Sequence, residues 1–163
     1  MQYVKIEDLV SYIDLEPVYY PDDVQSRIYT PEIIRPGLQI AGYFDWFSFE
    51  RVQVMGKAET FYLKTLDEDV KRQRLDKYFS FPIPALIVAN EMAIDEDLIH
   101  YAKKYKRPVF VSSQKTDKLV NVLINFLEEE LAEETTLHGV CLEVFGVGVL
   151  IKGKSGIGKS ETA

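Results

Sequence analysis

Apolar and polar positions change their spacing several times along the chain. Val4, Ile6, Leu9, Val10 and Ile13 fall mostly three and four apart, which predicts an amphipathic helix over 4–14, ended by Pro17. Val18 to Tyr20 suits a short strand. Pro21, Asp22, Asp23, Pro31, Pro36 and Gly37 then predict connecting loops around the apolar pair Ile28–Tyr29. The stretch Leu38 to Phe47 is dense in aromatics and is read as core or contact filling rather than as a ligand surface. Arg51 to Met55 reads as a strand closed by Gly56, and 58–66 as a helix. Asp67 to Tyr78, with Lys71, Arg72, Arg74 and Lys77, reads as a solvated charged helix.

From Pro82 the pattern is simpler. Ala85-Leu86-Ile87-Val88-Ala89 is a continuous apolar run, expected of a strand covered on both faces. Asp95 to Tyr105 predicts a helix with acids in its first turn and bases at its end, complementing the helix dipole, and with His100 on its exposed side. Val109 to Val111 follows as a second buried strand, so the unit is a parallel, right-handed βαβ. Thr116 or Asp117 is expected to cap a long helix through Glu133. The run Glu128, Glu129, Glu130, Glu133 and Glu134 reads as its solvated flank. The expected fold class is α/β, with an amino-terminal domain at 1–133 built from βαβ units and a mostly parallel sheet. A second domain is expected to begin at 134, with Thr135–Thr136 as linker. In it, Gly139 to Phe145 and Val149 to Ile151, joined through Gly146-Val147-Gly148, predict an antiparallel hairpin.

Composition narrows the classes. The 163 residues are 47% hydrophobic, enough for a sizeable core, and carry a net charge of -7. That charge argues against a nucleic-acid surface or an anionic-membrane surface spread over the chain. The single cysteine, Cys141, allows no internal disulfide framework, and nothing near it suggests an activated thiol. With neither a leader-like start nor an apolar run of membrane-spanning length, the expected compartment is the cytoplasm.

The chemistry lies in Gly153-Lys154-Ser155-Gly156-Ile157-Gly158-Lys159-Ser160. Gly153, Gly158, Lys159 and Ser160 have the Walker A spacing, after a strand-like run and before a segment able to open a helix. Successive backbone N–H groups in such a loop cradle phosphate oxygens. Lys159 is expected to reach the terminal phosphates and the Ser160 hydroxyl to ligate magnesium. A glycine-rich turn with an incidental lysine is the weaker alternative. Lys152 and Lys154 either add to the phosphate attraction or stand exposed. His138, judged alone, is more often structural than catalytic.

The block from Leu137 through Glu161 resembles the bacterial HPr kinase/phosphorylase family, in which a His-Gly-Val hairpin runs into Gly-x-Ser-Gly-Ile-Gly-Lys-Ser-Glu. The resemblance extends to Arg35-Pro36-Gly37-Leu38, Ala41-Gly42-Tyr43-Phe44, Arg51-Val52-Gln53-Val54-Met55-Gly56 and Pro84-Ala85-Leu86-Ile87-Val88. It implies a multifunctional enzyme of carbon catabolite repression. Such an enzyme phosphorylates a serine of the phosphocarrier HPr with ATP or pyrophosphate, and removes that phosphate by phosphorolysis. It further implies Mg2+, a homo-hexamer, control by fructose 1,6-bisphosphate and phosphate, and a catalytic domain like phosphoenolpyruvate carboxykinase. By motif, His138 and Lys159 would be catalytic, residues 153–160 would bind nucleotide, and Ser160 would hold the metal. Lys154 departs from the family, which often has Asp there. The acidic residues that members carry further along do not occur in these 163 residues, so the chain alone is expected to be inactive. Two rival readings remain at this point: a regulatory or assembly module with a vestigial loop, and another P-loop kinase.

Overall fold

The computed structural model describes residues 2–23, 26–133 and 139–152. They group into two compact units, Met1–Ala132 and Glu133–Ala163. The expected linker residues Thr135–Thr136, together with His138 and Gly153–Ser160, lie outside the described residues.

The first unit opens with β1 (Val4–Lys5), which leads directly into α1 (Ile6–Ile13). Ile6, Leu9 and Ile13 form the buried stripe that the periodicity predicts. The helix stops not at Pro17 but at Asp14, whose left-handed backbone (φ 57°) forms the C-cap. Pro17 instead lies within β2 (Glu16–Tyr19), an edge strand, where a residue without an N–H is tolerated. The stretch expected to be loop holds two very short strands, β3 (Arg27–Ile28) and β4 (Ile33–Ile34). β3 pairs with β1 in a separate two-stranded ribbon.

After α2 (Gly37–Ile40) come β5 (Val52–Met55), α3 (Lys57–Thr65), α4 (Glu68–Ser80), β6 (Leu86–Val88), α5 (Glu96–Lys104), β7 (Val109–Val111) and α6 (Thr116–Glu130). The main sheet has the order β2-β7-β6-β5-β4, with β4 to β7 parallel and β2 antiparallel at one edge. Because successive side chains point to opposite faces, each parallel strand feeds two cores. Val52, Val54, Ile87 and Phe110 pack with α1 and α6 on one face. Met55, Leu86, Val88 and Val109 pack with Leu63, Leu75, Phe79 and Leu98 from α3, α4 and α5 on the other. This explains why those strands read as unbroken apolar runs. Gln53 is fully buried among them. Its amide donates to the Arg51 carbonyl at 2.6 Å and its oxygen accepts from the Tyr78 hydroxyl at 3.3 Å.

Two further expectations need correction in this unit. The basic run of α4 is not simply solvated: Lys71 Nζ lies 2.9 Å from both Asp95 and Asp97, and Arg72 Nε lies 3.1 Å from Asp97. Lys104 of α5 returns the pattern to Asp76 of α4 at 2.6 Å, and the Tyr105 hydroxyl donates to the same carboxylate at 3.0 Å. The Lys71 ammonium holds the Asp97 carboxyl below its usual range, as Lys104 does for Asp76. The second correction concerns α6, whose N-cap is Lys115, without a side-chain cap. Thr116 has a different use, described below.

The second unit, as described, is a hairpin of β8 (Gly139–Val144) and β9 (Val147–Lys152). The strands pair antiparallel from Gly139↔Lys152 to Val144↔Val147. The turn is Phe145–Gly146, with φ of 51° and 79°, so Val147 and Gly148 belong to β9 rather than to the connection. Two consecutive left-handed residues are what a two-residue turn of primed type demands.

Candidate functional site

Two places in the chain bear on function. The first is the base of the hairpin. Strand pairing sets Gly139 opposite Lys152, so the chain enters β8 and leaves β9 side by side. A side chain at position 139 is excluded, since a Cβ there would lie 2.8 Å from the Ile151 carbonyl oxygen. That close approach accounts for the glycine of the His-Gly-Val sequence. The residues on which the phosphate-binding reading rests are His138, Gly153, Lys154, Ser155, Gly156, Ile157, Gly158, Lys159 and Ser160. All fall outside the described residues, so they stand on sequence. Among the described residues no group of three or more His, Cys, Asp or Glu side chains could hold a metal ion. Nor is any described helix long and apolar enough to cross a membrane. His100 and Cys141 are both exposed.

The second place is the carboxyl edge of the parallel strands, where open α/β sheets commonly hold their ligands. Arg35 follows β4, Gly56 follows β5, Asn90 lies just beyond β6, and Thr116 opens α6 after β7. Glu59, buried to 8% exposure, accepts on Oε2 from Arg35 Nη2 and from the Gly56 backbone N–H, both at 2.8 Å. The Gly56 bond caps the start of α3. Burial works to raise the Glu59 carboxyl, but the Arg35 hydrogen bond and the backbone N–H groups of Glu59 and Gly56 hold it below the usual range. Asn90 Nδ2 donates to Thr116 Oγ1 at 2.8 Å. That hydroxyl also crowds Gly56, where a Cβ would sit 2.7 Å from it.

Asn90 and Glu91 are both left-handed, with φ of 62° and 50°; this strained pair is tied by backbone bonds from their N–H groups to Gln114 and Ser112. In the sequence Arg35 and Gly56 stand in separate family-like blocks, and no spacing joins them to Glu59, Asn90 or Thr116. The one local signal was glycine followed three residues later by glutamate, the spacing of a helix cap.

The aromatic stretch divides in two. Phe44, Phe47 and Phe49 pack with Tyr78 and Phe81, as the core reading expects. Trp46 is left-handed (φ 59°) and 97% exposed.

These features define a chain with a doubly covered, mostly parallel α/β unit followed by a hairpin that leads into a Walker-type glycine sequence. The chain belongs to the HPr serine kinase family. Residues 4–127 match the model of the HPr Serine kinase N terminus, and residues 129–163 that of the HPr Serine kinase C-terminal domain. It is 44% identical over 163 residues to an HPr kinase/phosphorylase of Alkaliphilus metalliredigens, covering 100% of this chain and 53% of that protein. It is 42% identical, with the same coverage, to the HPr kinase/phosphorylase of Bacillus subtilis. The chain thus spans about half the length of the curated relatives it matches. Among solved structures, it resembles the CBS and DRTGG domains of the regulatory region of a Clostridium perfringens pyrophosphatase, solved with the activator diadenosine tetraphosphate. The TM-score is 0.52 at 12% identity, covering 75% of this chain and 46% of that one, which is a likeness of fold alone.

Proposed function

We propose that the chain serves an HPr kinase/phosphorylase, transferring phosphate from ATP or pyrophosphate to a serine of HPr and removing it by phosphorolysis. One observation carries this reading. The likeness to enzymes of that name extends over all 163 residues, hairpin and glycine loop included, at 44% identity. The hairpin pairing supports it, because it delivers the position next to His138 and the position next to Gly153 to one end of the same ribbon.

In this reading residues 1–133 form the amino-terminal domain, and residues from 134 open a catalytic domain like that of phosphoenolpyruvate carboxykinase. Residues Gly153 to Ser160 bind the phosphates, Lys159 reaches the terminal ones, and His138 takes part in the reaction beside them. The Ser160 hydroxyl is a hard oxygen donor of the kind Mg2+ accepts, and the bound ion would neutralise phosphate charge. Assembly as a hexamer, control by fructose 1,6-bisphosphate and phosphate, a cytoplasmic location and a role in carbon catabolite repression complete the proposal.

The test is transfer of labelled phosphate from ATP to HPr by the enzyme at the full length of its relatives. Phosphoserine on HPr is expected, with Lys159→Ala lowering the rate by about a hundred-fold or more, the scale on which transition-state charge stabilisers act. A full-length enzyme leaving HPr unlabelled would overturn the reading. The 163-residue chain by itself is expected to leave HPr unlabelled, since phosphoryl transfer also requires a group that orients the nucleophile. Labelling of HPr by this chain alone would refute that expectation.

A further inference from the structure

A cleft of about 570 Å³ opens between the end of α2 and the second half of α4. Ala41, Gly42 and Phe44 form one side, and Gln73, Arg74 and Lys77 the other. Its volume lies within the range of sites for small organic molecules. Arg74 is held in place by one end of its guanidinium. Nη1 donates to the Ile40 carbonyl at 2.9 Å and to the Tyr62 hydroxyl at 3.3 Å. Nε and Nη2, which share the edge that grips an oxyanion with two parallel bonds, have no acceptor among the described residues. Neither nitrogen is sealed from solvent, so this edge is open. Gly42 keeps it so: a Cβ there would stand 3.2 Å from Nε and 3.7 Å from Nη2. The positive φ of Gly42, 101°, favours glycine at the same position.

The charges around the edge say what fits it. Lys77 lies three residues beyond Arg74 on α4, on the neighbouring part of the helix surface. Among the described residues it has no ion-pair partner, and its Nζ stands 5.2 Å over the Phe81 ring. Asp76, the one carboxylate lining the cleft, is already engaged by Lys104 at 2.6 Å and by the Tyr105 hydroxyl at 3.0 Å. The cleft therefore presents two cations with no anion left to answer them. A carboxylate would balance one of them, whereas a phosphate monoester, with a charge of about -1.5 to -2, balances both. Phe44, stacked on Phe81, adds an apolar wall for the organic body of the ester. The net charge of -7 works against a large acidic partner. A small anion feels chiefly the charges within about 10 Å, the screening length at ordinary salt.

We propose that the α2–α4 cleft binds a small organic phosphate monoester, gripped by the Nε–Nη2 edge of Arg74, with Lys77 beside it and Phe44 against its organic part. The site stands on the first unit and is independent of the glycine loop and of the kinase reading.

The test titrates the 15N-labelled 163-residue chain with phenyl phosphate, with benzoate and with inorganic phosphate. Phenyl phosphate is expected to give saturating shifts of the backbone signals of Gly42, Gln73, Arg74 and Lys77. Benzoate, with one charge fewer, should bind about ten-fold more weakly or worse, the scale of one charge-assisted hydrogen bond. Inorganic phosphate should also bind more weakly, lacking the ring. Lys77→Gln should weaken phenyl phosphate by about three-fold or more, the scale of an exposed charge contact, and leave the thermal midpoint in place. Gln73→Glu, also at an exposed position, sets a carboxylate one turn from Lys77 and should weaken it further. The shifts should persist in Lys159→Ala, which separates this cleft from the glycine loop. The proposal is overturned if the four signals stay still at 10 mM phenyl phosphate, or if benzoate or inorganic phosphate binds as tightly. It is also overturned if neither α4 variant weakens binding, or if Lys159→Ala abolishes the four shifts.

Discussion

Glu59 carries more than its exposure suggests. One carboxylate oxygen holds the guanidinium of Arg35 and the first backbone N–H of the α3 entry, so a change there acts on β4, β5 and α3 together. Glu59→Gln keeps the shape but replaces a charged acceptor, with an expected cost of about 1–2 kcal/mol at neutral pH. The pH dependence has a definite sign. A carboxyl held low in the folded state contributes stability above its unfolded value of about 4.3 and loses it as pH falls through the folded value. The gap between wild type and Glu59→Gln in urea melts should therefore be full near pH 7 and shrink below about pH 4. A gap constant down to pH 3 would show that the charge contributes nothing.

Among elements, the α4–α5 pair shows how the same residues can look solvated in sequence and be partnered in space. α4 has little apolar face, only Leu75, Tyr78 and Phe79 being buried. Its register against α5 is instead marked by the pairs of Lys71, Arg72 and Asp76 with Asp97, Asp95 and Lys104. Lys71 is the centre, at 15% side-chain exposure and within 2.9 Å of two carboxylates. Lys71→Met should cost about 1 kcal/mol, the upper end for pairs in contact with water, and the loss should shrink in molar salt. Thermal melts of the two proteins at low and high salt measure it, and coincident midpoints at low salt would refute it. The hairpin shows the opposite case. Its pairing is complete, yet Val144, Val147, Val149 and Leu150 are exposed, and an isolated two-stranded ribbon is marginal in water.

On the scale of the whole molecule, the glycine loop read from sequence and the carboxyl-edge cluster read from structure belong to different compact units. The first has its reading from motif and kinship, the second from packing. Each gives its own expectation. Lys159→Ala should lower phosphate transfer by the full-length enzyme about a hundred-fold or more without moving its urea midpoint, and a lowered midpoint would show that Lys159 also supports the fold.

The central strands, the βαβ unit, α3, α5 and the hairpin were legible in the sequence. Their apolar runs and periodicities are local and long enough to be unambiguous, and the Walker spacing and His-Gly-Val block identify the family without any coordinates. β1, β3 and β4 were not legible, because strands of two residues have no period to read. Nor was the use of Thr116 against Gly56 and Asn90, which depends on how three separate crossovers return to one sheet edge. The same holds for Glu59: that its carboxylate receives both Arg35 and the Gly56 N–H is decided by how β4, β5 and the start of α3 meet. Sequence alone determined the local elements and the kinship. Tertiary structure decided which charges are partnered, because partnership depends on distances between residues that the chain order keeps far apart.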